Sequence, residues 1–109
     1  MGDSVAQLSY GVLLNEEDFN RVLEIFYESG IREKDEESFL VLDQPYETEE
    51  YILAIRQSRT KTFNGTKPID TKFAEINYHD WNTQLKDFLQ QHEITPDTPP
   101  VWLLTGYRD

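Results

Sequence analysis

The 109-residue chain contains no cysteine. That excludes a disulfide scaffold, a zinc–thiolate site, an iron–sulfur cluster and a cysteine nucleophile at once. No apolar run approaches the ~20 residues that a membrane-spanning helix requires. The five glycines are dispersed at positions 2, 11, 30, 65 and 106, so no glycine loop is available to cradle a phosphate. None of Ser4, Ser9, Ser29, Ser38 and Ser58 lies in a Gly-x-Ser-x-Gly elbow. Histidine is scarce. His79 and His92 are the two present, and both read as structural residues near the ends of one helix. Glu75, His79 and Asp80 form the one crowded set of metal-ligand types, and their spacing matches no metal motif. No cofactor and no metal are expected, and the sequence offers no catalytic residues. Met1 to Val5 lacks the basic and apolar regions of a secretory signal. The expected location is the cytoplasm, with residues 1–7 a flexible N-terminus of a single domain spanning 1–109.

Acid is what the chain has in excess. The 21 Asp and Glu outnumber the 10 Lys and Arg, for a net charge of −11. The excess is confined to one half. Residues 1–50 hold 14 acids and three bases (Arg21, Arg32, Lys34), whereas residues 51–109 hold seven of each. Within the second half, Arg56, Arg59, Lys61, Lys67 and Lys72 are opposed before Glu75 by Asp70 alone. Direct nucleic-acid binding is disfavoured by the summed field.

Leu8 to Leu14 suits a strand. Asn15 follows as a helix N-cap, with Glu16, Glu17 and Asp18 at the positive end of the dipole. Phe19, Val22, Leu23 and Phe26 repeat at helical spacing, and Gly30 is placed to end the helix in a left-handed conformation. Phe39 to Leu42 reads as a buried strand. Tyr51 to Phe63 favours one long strand over its competitor, a helix across 49–58. Asn64-Gly65 marks a turn, after which Thr71 to Ile76 is compatible with a short strand returning beside Thr60 to Phe63. Asn77 is then placed to cap a second helix, whose apolar positions are Trp81, Leu85, Phe88 and Leu89. Thr95 to Pro100 cannot be helical, and Val101 to Tyr107 is a final strand.

Strand, helix, two strands, helix, strand is the ferredoxin-like βαββαβ order. The expected fold is therefore α+β, a two-layer sandwich with two helices on one face of an antiparallel sheet. The other face would be open. Tyr10, Tyr51, Trp102 and Tyr107 are candidates for that open face, the alternative being that half of them point into the core.

A compact acidic chain of this kind suits a non-catalytic protein that works by protein–protein contact. An inhibitor, an immunity-type protein or an adaptor would dock on a basic partner, in one version by mimicking nucleic acid. The acids best placed for this are Glu16, Glu17 and Asp18 in the first helical turn and Asp35, Glu36 and Glu37 in the following loop. A homodimer through the open sheet face is a further expectation. The alternative is a small sensor of anionic ligands that uses the basic segment 56–72, with Arg56, Arg59, Lys61 and Lys67 as ligands.

Overall fold

The computed structural model describes residues 4–28, 38–43, 50–63 and 65–108. In chain order these form β1 (Ser4–Leu14), α1 (Glu16–Glu28), β2 (Phe39–Asp43), β3 (Tyr51–Ile55), a 3-10 turn (Arg56–Ser58), β4 (Thr60–Phe63), α2 (Thr71–Gln91) and β5 (Val101–Arg108). Among the described residues the fold is α+β, two helices with an antiparallel sheet of five strands. Gly30, Asn64 and the loop acids Asp35, Glu36 and Glu37 lie outside the described residues.

β1 organises the sheet. One edge pairs with β5 from Ser4↔Arg108 to Gly11↔Val101. The other edge pairs with β4 at residues 5–8 and with β3 at residues 11–14, and β2 pairs with the far side of β3. Between the pairs Leu8↔Thr60 and Gly11↔Ala54, β1 advances three residues while its neighbour advances six. The 3-10 turn takes up the difference, so the expected strand from Tyr51 to Phe63 exists with one interruption. The turn would strand the amide of Tyr10, because a buried N–H without a partner is costly. Ser58 resolves this: its hydroxyl accepts from Tyr10 N at 2.8 Å and donates to the Ile55 carbonyl at 2.6 Å.

Register sets the faces, since alternate residues point to opposite sides of a strand. Tyr10, Val12 and Leu14 of β1 share a face with Leu53 and Ile55 of β3 and with Phe39 of β2. These side chains form one core with Phe19, Val22 and Phe26 of α1 and Trp81, Leu85, Phe88 and Leu89 of α2. Both helical stripes expected from the sequence are therefore buried on the same face. On the opposite face Leu40, Ile52 and Ala54 make a second cluster with Leu13, Leu42 and Leu103. Gly11 belongs to this face. A Cβ there would stand 2.6 Å from the Ala54 Cα, so β1 and β3 approach too closely for any side chain.

Two expectations need correction. The segment Thr71 to Ile76 is not a strand but the first turns of α2, and no hairpin with β4 forms. Asp70 is the N-cap, its carboxylate accepting from Phe73 N at 2.9 Å, and Asn77 lies inside the helix, donating to the Phe73 carbonyl. A capped turn satisfies orphan amides that a four-residue edge pairing would not. The aromatic open face also fails. Tyr10 and Tyr51 are buried in the helix-side core, and Trp102, paired with Tyr10, shares their side of the sheet. The Tyr107 side chain is outside the described set.

The other ends follow their local chemistry. Asn15 caps α1 through Asp18 N at 2.8 Å. α2 ends in a Schellman arrangement, with Ile94 N bonded to the Leu89 carbonyl and Glu93 N to that of Gln90. Glu93 takes the left-handed conformation there, at φ 55°, a place where glycine is usual.

Candidate functional site

α2 is longer than the core it covers. Its second half buries Trp81, Leu85, Phe88 and Leu89, whereas its first half overhangs with Phe73, Ile76 and Tyr78 exposed. Beneath this overhang lies the part of the helix-side sheet face that neither helix reaches. Leu8, Ala6, Thr60, Thr62 and Leu104 occupy it by register. Leu104, 79% exposed, stands on this floor, whereas Ile76, equally exposed, lies on the side of α2 away from Trp81 and Leu85 and borders neither cleft.

Two adjoining clefts run through this region. The inner one, of about 150 Å³, is bordered by Trp81, Trp102, Phe73 and Arg59; the outer one, of about 100 Å³, by Leu104, Ala6 and Lys67. They share Leu8, Thr60 and Ile69. Phe73, Trp81 and Trp102 on the inner wall belong to a chain of aromatic edge contacts that continues behind the cleft to Tyr10 and Tyr78. Tyr78 meets Tyr10 at 5.2 Å between centroids, Tyr10 meets Trp102 at 5.3 Å, Trp102 meets Trp81 at 6.0 Å, and Trp81 meets Phe73 at 5.7 Å. Hydrogen bonds pin the two buried members. The single proton of the Tyr10 hydroxyl is shared between Asn82 Oδ1 at 3.1 Å and the Pro100 carbonyl at 3.2 Å, and Trp81 Nε1 donates to Gln57 Oε1. Burial first, then the Tyr78 hydroxyl beside it, raises the Tyr10 pKa well above the usual phenol value. Tyr10 is therefore a neutral structural donor.

The basic candidates are dispersed. Arg59 and Lys67 are exposed beside the inner and outer clefts respectively. Arg56 is turned to the Phe39 carbonyl, which its guanidinium meets at 3.0 Å. Lys61 borders the outer cleft, but its ammonium lies 5.4 Å from the centroid of the Phe63 ring. The four cations do not converge on one point. Of the acidic candidates, Glu16 and Glu17 are exposed on α1 and Asp18 is half-buried. Among the described residues no group of three or more His, Asp or Glu comes together as a metal site would need, and no helix is long and apolar enough to cross a membrane.

Sequence reasoning missed Ile69 and Phe73, which line the clefts, because it placed a loop and then a strand over this stretch. The signal was present: Ala74 and Tyr78 extend the helical stripe of Trp81, Leu85 and Phe88 backwards at spacings of four and three. Comparison with protein-family models, with curated proteins and with solved structures found no match to this chain.

Proposed function

We propose that this is a small non-catalytic binding protein that acts by protein–protein contact through the groove beneath the α2 overhang. The exposure of Ile69, Phe73, Trp102 and Leu104 around adjoining clefts carries this reading. Contiguous exposed apolar surface marks an interaction site, whereas isolated apolar side chains do not. Fully burying a side chain of this size is worth about 1.5–3 kcal/mol, so three or four anchors outweigh the lower range of association costs. The clefts are smaller than the ~300 Å³ at which small-molecule sites begin. They fit single side chains of a partner segment. Arg59 and Lys67 on the rim favour acidic groups flanking those anchors, a complementarity that sets on-rate and orientation.

The ferredoxin-like order belongs to the same proposal. Taking β3, the 3-10 turn and β4 as one strand gives βαββαβ, and their common position on one edge of β1 supports that reading. A cytoplasmic location, supported by the lack of cysteine, completes it. A second reading, docking of the acidic half on a basic partner, rests on exposed Glu16 and Glu17 in a half whose net charge is −11.

One experiment separates the readings. Peptides selected from a random library on the immobilised protein are mapped by amide chemical shifts. Apolar peptides carrying Asp or Glu, shifting Ile69, Phe73 and Leu104 and losing affinity at least tenfold in Phe73→Asp, support the groove. Lys- and Arg-rich peptides shifting Glu16 and Glu17 overturn it in favour of the acidic reading. Phosphate alone shifting Arg59 and Lys67, with no peptide bound, overturns both in favour of an anion sensor.

A further inference from the structure

The outer edge of β5 is built for pairing. Its inner edge is taken by β1 over all eight residues, and among the described residues no strand pairs with its outer edge. The direction of the backbone groups follows from β1. Tyr10 N points to Ser58, on the β3–β4 side. Leu13, at an odd position, instead exchanges with the segment leading into β5, its N donating to Thr98 Oγ1 and its carbonyl accepting from Asp97 N. Even residues of β1 thus turn their N–H and C=O away from β5, and so do the residues opposite them in the antiparallel ladder. Trp102, Leu104 and Gly106 face Tyr10, Leu8 and Ala6. Their amides and carbonyls therefore point outward.

Exposed edges are normally blunted by charge, proline or a bulge. From Val101 to Tyr107 this strand has neither charge nor proline. We infer that the β5 edge pairs antiparallel with the β5 edge of a second copy about a two-fold axis at Leu104. The sequence is self-complementary in that register. Leu104 meets Leu104 of the second copy, and Trp102 lies across from Gly106 of the second copy, where a large ring covers a residue without a side chain. All three positions are exposed on the helix-side face. The charge-free strand lets two chains of net charge −11 meet without a like-charge contact. The two groove floors then join across the axis, each walled by its own α2 overhang.

Sedimentation velocity over a concentration series tests the dimer. The wild type should approach twice the single-chain mass as concentration rises. Added salt should strengthen association, because it screens the repulsion between two acidic chains. Leu104→Pro removes an outward N–H that β1 does not use, a position where an edge strand tolerates proline, and should leave a folded monomer. Leu104→Lys should do the same, and decides the matter if the proline variant does not fold. Phe73→Asp, on α2 at the inner cleft, should leave the dimer intact, which separates this proposal from the groove reading. A wild type that stays monomeric at every concentration, or a dimer that persists in Leu104→Lys, overturns it.

Discussion

Ser58 is the residue on which the interrupted strand depends, and Ser58→Ala measures that dependence. Its hydroxyl makes two buried hydrogen bonds, from Tyr10 N and to the Ile55 carbonyl. Each neutral bond contributes about 0.5–1.5 kcal/mol net, and a buried donor left without a partner costs about 1–3 kcal/mol. The carbonyl loses less, because it has a second lone pair and sits at the turn. The combined loss should be about 2–3 kcal/mol, a large part of the ~5–15 kcal/mol that holds a domain together. For a chain of this length that corresponds to a fall in Tm of roughly 10 °C. Urea unfolding followed by tryptophan fluorescence gives the free energy, since Trp81 is 1% exposed in the core. Amide exchange gives the location, because the Tyr10 amide should lose protection ahead of its neighbours in β1. A loss below about 0.5 kcal/mol, the range of an inert surface change, with the Tyr10 amide still protected, would refute the role assigned to Ser58.

Three other outcomes follow from local geometry. Asp70→Ala should destabilise by about 1 kcal/mol by removing the cap on Phe73 N, read by urea unfolding; no change would put the start of α2 elsewhere. Glu93→Gly should stabilise by about 1 kcal/mol, since Glu93 is held at φ 55° in a conformation costing about 1–2 kcal/mol for residues with a Cβ, and thermal melts would show the gain. The raised pKa of Tyr10 gives a sign for alkaline stability. The folded state holds the proton more tightly than the unfolded chain, so the contribution is full below pH ~10 and declines above it. A Tyr10→Phe variant should flatten that decline in pH-dependent urea unfolding.

The sequence carried the parts of the fold that depend on near neighbours. Asn15 with Asp18, the stripe Phe19, Val22 and Phe26, and the stripe Trp81, Leu85 and Phe88 each encode their element within two turns, and each is where the periodicity put it. β1 begins at Ser4, earlier than the strand read from Leu8, because Ser4 to Gln7 gain their order from β4 and β5 rather than from their own pattern. The start of α2 was misplaced for a related reason. Phe73 and Ile76 are β-compatible residues, and the cap at Asp70 decides between helix and strand. The strand faces of Tyr10, Tyr51 and Trp102 were illegible because one residue of register reverses them. The groove was hidden with them. It exists only once Phe73 and Ala74 of α2 stand beside Leu8, and Ile69 beside Leu104, residues far away in the chain.

The groove is proposed as the place where this protein meets its partner. The most direct measurement places a photo-crosslinking amino acid at Ile69, which borders both clefts, or, as a control on the outer face of α1, at Glu24, in the cells that produce the protein. If a partner docks in the groove, position 69 gives a discrete adduct with another protein, lost when Phe73→Asp is added, and position 24 gives none. An adduct from position 24 alone would contradict it and move the contact surface to the acidic half.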